Sequence, residues 1–549
     1  VPNATQTFAS NAVPNATPNP ATSGAPRSTR KVASSAFVAA LALACSSPLA
    51  CSPRYEGPYP HVVLISLDTT RADHVGCYGS ALVKTPAIDR IAHEGILFTS
   101  AMAAAPTTLA DHTSIMTGLY PHTHGVPRNG FVISPDDVML AEIFKKHGFQ
   151  TAAFLGAWTL SRRFGFDRGF DAFDENFDIA ADMRTHDQEQ RRSSAVTDAA
   201  LRWVEHASGG PTFLFVHYFD AHAPYEPPPP FDRMYAHAED AASGAPRSDR
   251  LTSGGPAELD RATRIHQLHA IGAELGQERV INGGLTRELA TRDPGPPADI
   301  DRDLEALYSG EISYVDRELG RLIDGLAERG WLEHSIVIVT ADHGESFAEH
   351  GDTWNHGLWV YDTSVHVPLI VRRSDRLQSR EVTLPVSTVD IAPTLLALVG
   401  IDVPRAMEGI DLAPALDGGE LRRGVIFSEA TQPPSVEKAS AWRNEQKPKC
   451  ARDGRWKYIR APYLDLDELY DLATDPGERN NLLALPASDA RTSEARDTAK
   501  RLRGELDRWT ASAHPRASRF DPSRTDDTLR RLNNLGYASG DEAEPPRKH

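Results

Sequence analysis

His61-Val-Val-Leu-Ile-Ser-Leu-Asp68 is a nearly unbroken run of β-prone apolar residues that ends on a carboxylate. A strand with one wet face alternates apolar and polar side chains, whereas a strand covered on both faces does not. The run therefore predicts a central strand of a layered sheet. Outward from it the pattern repeats. Residues 138–147 read as a helix closed by Gly148 and 151–155 as the next strand, and 212–217 and 336–340 are two more buried-strand candidates. Between 301 and 329, Leu304, Leu307, Ile312, Val315, Leu319, Leu322, Ile323 and Leu326 recur at helical spacing, with Gly330 as the stop. Strands alternating with helices predict an α/β protein.

The chain has 549 residues, 58 Lys+Arg against 75 Asp+Glu and a net charge of −17. That length suits one large α/β domain with appendages. The acidic balance excludes a protein that coats duplex nucleic acid, which needs a basic face. Four cysteines exclude a disulfide scaffold. Residues 1–26 are mostly Ala, Pro, Asn, Ser and Thr and are expected to be disordered. Arg27, Arg30 and Lys31 precede a mainly apolar run over 32–44 that ends at Cys45, with Cys51 just beyond. Such a run is too short to span a bilayer and fits a signal peptide, so 27–51 is read as an export segment of signal or lipoprotein type. The expected location is the bacterial periplasm or cell envelope, with Cys45 or Cys51 as candidate lipid anchors. The catalytic body is expected over 58–415 and a smaller α+β sheet domain over 420–515, with short strands at Val425-Ile-Phe427, Trp456-Lys-Tyr-Ile459 and Asp467-Glu-Leu-Tyr-Asp471. Residues 227–297, rich in Pro, Gly, Ala and charge, read as a surface insertion, and 516–549 as a polar tail.

Three acidic or histidine clusters follow expected strands: Asp68, then Asp220 with His222, then Asp342 with His343. In an open α/β sheet ligands bind beyond the carboxyl ends of the strands, where these clusters could converge. Carboxylates with imidazole suit a divalent cation such as Mn2+ or Zn2+. Pro106-Thr-Thr-Leu-Ala-Asp-His-Thr-Ser-Ile-Met-Thr-Gly118 places hydroxyls just ahead of a helix start. A helix N-terminus favours a bound anion and a nucleophile whose pKa must fall, although hydroxyls there also serve as plain caps.

On these residues the chain resembles the sulfatases of the alkaline phosphatase superfamily, over about 60–485. Ser66-Leu-Asp-Thr-Thr-Arg-Ala-Asp-His-Val-Gly-Cys-Tyr-Gly79 is similar to the first strand and metal turn of that family. Thr85-Pro-Ala-Ile-Asp-Arg-Ile-Ala-His-Glu-Gly-Ile-Leu-Phe98 is similar to the helix and strand after it, and Met116-Thr-Gly-Leu-Tyr-Pro-His-Thr-His-Gly125 to the end of the active-site signature. Thr340-Ala-Asp-His-Gly-Glu345 resembles the second metal motif. Val389-Asp-Ile-Ala-Pro-Thr-Leu-Leu396, Glu468-Leu-Tyr-Asp-Leu472 and Asp475-Pro-Gly-Glu478 resemble the C-terminal pattern. The resemblance implies an alkaline-phosphatase-like α/β/α sandwich with a large mixed sheet, and a hydrolase of sulfate or phosphate esters.

The chain departs from the sulfatases at the nucleophile. Ten residues before the Thr-Gly glycine they carry a Cys or Ser that becomes formylglycine; here that position is Thr108, and the Arg four residues on is His112. Thr cannot form the aldehyde, so no formylglycine is expected. The segment instead resembles the nucleotide pyrophosphatase/phosphodiesterase branch, in which an unmodified Thr attacks phosphorus. In that branch and in phosphonate monoester hydrolases an Asn about twenty-one positions past the nucleophile holds a substrate oxygen, which corresponds to Asn129. Thr69 stands where many sulfatases have a second metal-binding Asp, and His343 where they have Asn. The implied ligand set is therefore Asp68, Thr108, Asp342 and His343, better suited to Mn2+ or Zn2+ than to Ca2+.

The expected reaction is an in-line displacement by Thr108 through a covalent Thr ester, phosphate diesters ahead of monoesters and of sulfate esters. His112 and His222 are expected among the catalytic groups, and Asn129, His222 and His356 among those that bind substrate. A second metal at Asp220, His222 and His356 is an alternative. The substrate is expected to be a small-molecule, glycan or lipid ester, with specificity set by the 227–297 insertion. Two other functions stay open: an extracytoplasmic phospho-transferase of the phosphoethanolamine type, and a non-catalytic binding protein of sulfatase fold.

Overall fold

In the computed structural model the described residues are 55, 57–177, 190–223, 225–236, 298–347, 349–350, 353–437, 442–486, 488–514, 516–517, 519–520, 528 and 531–532. The expected export segment, the disordered start, positions 237–297 of the insertion and most of the polar tail lie outside them.

His61–Leu67 forms a strand with Val62 to Leu67 all buried, as the unbroken apolar run requires. It is interior to an eight-stranded sheet whose order is Arg380–Val382, Ile96–Phe98, Leu369–Arg373, Ser335–Thr340, His61–Leu67, Thr212–Tyr218, Gln150–Phe154 and Ala172–Asp174. Neighbours pair in parallel except for Leu369–Arg373, which runs antiparallel to both of its neighbours. The sheet is therefore mixed, as expected. Register decides what meets at its carboxyl edge: Ser66 lies opposite His217 on one side and Thr340 on the other. Asp68, Phe219 and Asp342 thus lie side by side just beyond the sheet.

The amphipathic pattern from 301 to 329 becomes the helix Ala298–Glu328, with all eight of its periodic apolar residues buried and Gly330 at φ +71°. It packs on helices Ser193–His206 and Pro86–His93. A second helix group, Thr108–Thr117, Ile391–Leu398 and Leu140–Lys146, packs together elsewhere on the sheet, which gives the layered α/β/α arrangement.

Strands Ile426–Glu429, Lys449–Asp453, Trp456–Ala461 and Leu466–Asp471 form a separate antiparallel sheet in that order. Lys449–Asp453 carries no apolar alternation to reveal it. Its Lys449 and Arg452 are buried among polar partners, so a pattern read from hydropathy passes over it. Helix Thr492–Ala511 lies on this sheet, and Trp509 stacks on Phe427 with ring centroids 4.7 Å apart. Ala104, Tyr120 and Val389 of the larger body share the same apolar cluster, so the two sheets are joined by a common core. No helix among the described residues is long and apolar enough to cross a membrane.

Candidate functional site

Asp68 is the first residue past the central strand, and its N–H still donates to the Tyr218 carbonyl at 2.9 Å. The chain then turns through Thr69 at φ +51°, a conformation that costs a β-branched residue about 1–3 kcal/mol unless its surroundings hold it. Tyr308 supplies that hold: its hydroxyl donates to the Thr69 carbonyl at 2.7 Å and accepts from Arg71 N–H at 3.0 Å. The Thr69 hydroxyl turns back to the Asp68 carbonyl at 2.9 Å, while its N–H donates to Asp342 Oδ1 at 3.3 Å. Asp342 leaves the adjacent strand one residue after Ala341, and the same Oδ1 accepts from His343 N–H at 2.9 Å.

Asp68, Asp342 and His343 converge, all buried, with one ligand atom from each within 4.8 Å of the others. His343 Nδ1 donates to the Gly344 carbonyl at 2.9 Å, which leaves Nε2 as the nitrogen with a lone pair. That Nε2 stands 3.4 Å from Asp342 Oδ2 and 3.8 Å from Asp68 Oδ1. These two carboxylate oxygens are buried without a hydrogen-bond partner. Burial pushes both carboxyls up to about 7, and for Asp342 the Asp68 charge adds to it, while burial pushes His343 down to about 4. Two orphaned carboxylate oxygens facing an imidazole lone pair fit a divalent cation with mixed N/O coordination.

Thr108 opens the helix Thr108–Thr117 after an extended Thr107. Its Oγ1 lies 3.5 Å from His343 Nε2, and its hydroxyl hydrogen-bonds Asp68. The turn before it is tied by Asp111, whose Oδ1 accepts from Ala104 N–H at 2.7 Å and from the Thr388 hydroxyl at 2.8 Å. His112, expected among the catalytic groups, has both ring nitrogens engaged. Nδ1 donates to the Thr108 carbonyl at 2.7 Å, and Nε2 accepts from Ser66 Oγ at 2.8 Å. It fastens the turn of Thr108 to the central strand, a positioning arrangement that leaves neither ring nitrogen without a partner.

Asn129 accepts from Leu109 N–H through Oδ1 at 2.8 Å, while its Nδ2 is buried without a hydrogen-bond partner beside the start of the same helix. The acceptor caps the helix and the donor is left over. His222 stacks on Phe219 and stands 5.3 Å, centroid to centroid, from His356, which in turn stands 4.3 Å from His343. Burial pushes His356 down to about 4, which favours the neutral ring. Asp220 does not join this group. It accepts from Ser193 N–H at 2.6 Å, from the Ser193 hydroxyl and from Arg192 at 3.2 Å, and so serves the start of helix Ser193–His206. Among the described residues Asp68, Asp342 and His343 are the one cluster of at least three metal-ligating side chains, so the second-metal alternative loses Asp220.

One residue of the site was passed over in the sequence. His217 donates from Nε2 to Asp68 Oδ2 at 3.0 Å while its Nδ1 accepts from Gly156 N–H at 3.4 Å. It is the polar residue near the end of an otherwise apolar buried strand, and that break in the run was the available signal.

Comparison with known proteins identifies the family. A family model described as Sulfatase matches residues 60–401, and one described as N-sulphoglucosamine sulphohydrolase, C-terminal, matches 348–505. The chain is 25% identical over 497 residues to an N-acetylglucosamine-6-O-sulfatase of Bacteroides thetaiotaomicron, covering 81% of this chain and 86% of that one. It is also 25% identical to arylsulfatase K of Bos taurus, covering 81% and 83%. Among solved structures, the phosphonate monoester hydrolase of Agrobacterium radiobacter matches with a TM-score of 0.60 at 24% identity, covering 81% of this chain and 96% of that one. A protein solved with D-glucosamine-2-N,6-O-disulfate matches with a TM-score of 0.63 at 20% identity, covering 85% and 100%. At such identities the structural likeness speaks for the fold alone. With the Sulfatase model covering more than half of its length, the chain belongs to the sulfatase family of the alkaline phosphatase superfamily, a family of ester-bond hydrolases.

Proposed function

We propose that this chain is a metal-dependent hydrolase of phosphate and sulfate esters that uses unmodified Thr108 as its nucleophile and turns over phosphate diesters fastest. The observation that carries this reading is the Thr108 hydroxyl at a helix start, 3.5 Å from His343 Nε2 and hydrogen-bonded to Asp68. Asp68, Asp342 and His343 would hold the ion, with Thr108 Oγ1 beside it. A divalent ion there polarises a non-bridging ester oxygen and lowers the pKa of the hydroxyl. The chain's own groups do the rest. Thr108 Oγ1 attacks the central atom in line and the ester's leaving oxygen departs, forming a Thr ester that water then breaks by a second displacement at the same atom. Asn129 Nδ2 donates to a non-bridging oxygen as charge grows there. The hydroxyl proton of Thr108 passes to Nε2 of His222 or His356, which then gives it to the leaving oxygen. His112 and Asp111 keep the nucleophile's turn in place.

Phosphate is preferred because a Thr ester has no C–O cleavage route of the kind an aldehyde hydrate offers for expelling sulfate. Displacement at phosphorus runs on stabilisation of the equatorial oxygens, which a metal and Asn129 supply. A second reading, sulfate esters of glycans, is favoured by the names of the relatives. Purified protein assayed with bis(4-nitrophenyl) phosphate, 4-nitrophenyl phosphate and 4-nitrophenyl sulfate separates the two, by whichever ester class is cleaved faster. Thr108→Ala should abolish all turnover, a loss of at least about 1,000-fold in kcat, with the circular dichroism spectrum unchanged. Retained activity in that variant would sink the nucleophile assignment.

A further inference from the structure

Glu345 is buried two residues past His343 yet stands outside the Asp68, Asp342 and His343 group. Its backbone is clamped. Gly344 N–H donates to the Ser364 carbonyl at 2.9 Å, a Cβ on Gly344 would meet the Thr363 carbonyl oxygen at 2.2 Å, and the Glu345 carbonyl accepts from Arg71 at 3.1 Å. Held in this way, its carboxylate serves two partners. Oε1 accepts from His356 Nδ1 at 3.2 Å, and Oε2 accepts from the Tyr225 hydroxyl at 3.1 Å. Tyr225 belongs to the segment that carries His222, so one buried carboxylate ties together the two chain segments that bring histidines to the candidate site.

We propose that Glu345 is a positioning residue that fixes the His356 ring with its hydrogen on Nδ1 and sets the spacing of His356 from His222. This rests on the reading of Thr108, His222 and His356 given above. A carboxylate can only accept, so the imidazole nitrogen facing it must be the one that carries hydrogen, and His356 then acts on the substrate through Nε2. A ring without that partner samples both tautomers and turns about χ2.

The test begins with full-length protein carrying 15N-histidine, in which the His356 signal is identified by its loss in His356→Ala. Nδ1 should resonate as a protonated, pyrrole-type nitrogen, and Glu345→Gln should mix the tautomers or reverse them. A wild-type signal with hydrogen on Nε2, or one that Glu345→Gln leaves unmoved, overturns the proposal whether or not any ester is turned over. The kinetic arm is a double-mutant cycle on bis(4-nitrophenyl) phosphate. Glu345→Gln should lower kcat about 10- to 100-fold with KM within about threefold in the wild-type background, and by less than about twofold on His356→Ala. Glu345→Asp should recover part of the loss, and bound metal should stay at the wild-type level. Equal losses in both backgrounds, or a fall in metal content that matches the lost activity, would show that Glu345 does not act through His356. A wild-type enzyme that cleaves no ester defeats the proposed function and leaves the tautomer result to decide this inference alone.

Discussion

Asp342 spends one oxygen on the Thr69 and His343 amides and turns the other, unpartnered, toward His343 Nε2. A group so divided belongs to the backbone of two loops and to the centre at once. Asp342→Ala removes the proposed ligand and the one oxygen that accepts from both amides. Bound metal, measured by inductively coupled plasma mass spectrometry after dialysis, should fall to less than about a tenth of the wild-type content. Unchanged metal content would exclude Asp342 as a ligand. The sign of the pH effect follows from burial. Both carboxyls are raised to about 7 and His343 is lowered to about 4, so below pH 7 protons occupy the carboxylates that a cation needs while His343 does not compete. Affinity should then weaken as pH falls through 7, by up to about 100-fold per unit if both carboxyls take a proton. Competition against a chelating dye across that range checks the slope, and a flat profile would contradict the ligand set. In the metal-free protein the raised carboxyls contribute stability that is complete below about 4 and lost as pH rises through about 7, so added metal should raise Tm most on the alkaline side.

The helix Thr108–Thr117 was legible as a hydroxyl-rich start before an apolar turn, but its buried Asp111, His112 and Thr113 were not. A run of polar residues in a helix reads as solvated, and partners such as Ser66, Thr388 and Ala104 are what make its burial possible. The loop of His356 shows the same dependence on neighbours. Gly357 has φ +92°, and a Cβ there would stand 2.9 Å from Gln432 Cγ, 3.0 Å from Thr431 Oγ1 and 3.2 Å from Thr107 Oγ1. Its carbonyl accepts from the Thr431 and Gln432 amides, both at 2.8 Å, and Thr431 Oγ1 touches Thr107 Oγ1 beside Thr108. Gly357→Ala must shift this contact between loops. Stability should drop by about 1–3 kcal/mol, read from urea unfolding, and kcat should fall more than the loss of folded protein explains. Full activity in the variant would mean that the loop's fit against Thr107 is not needed.

Across the molecule the two sheets share the cluster in which Trp509 meets Phe427, Tyr120 and His122, the last at a centroid distance of 4.1 Å. Trp509→Ala should cost about 3–5 kcal/mol and shift unfolding of both sheets together, followed by tryptophan fluorescence and far-ultraviolet circular dichroism. Two transitions that separate in the wild type would argue that the core is not shared. The buried runs at His61–Leu67, Thr212–Tyr218 and Ser335–Thr340 and the periodicity of Ala298–Glu328 are legible in the sequence, because burial on two faces or on one stripe leaves a local record in hydropathy. Asp68, Asp342 and His343 stood out for a similar reason, as polar groups at the ends of such runs, whereas Thr108 stood out by its place at a helix start and by the resemblance to the family. Lys449–Asp453 left no such record, since its burial is balanced by the Asn444 carbonyl, the Ser100 hydroxyl and the Asp362 carboxylate. His217 on Asp68, Ser66 on His112 and Glu345 on His356 were equally invisible. Strand composition sets which residues are buried, but pairing between segments far apart in the chain sets which of them touch, 149 residues apart for His217 and Asp68, and no local spacing carries that number.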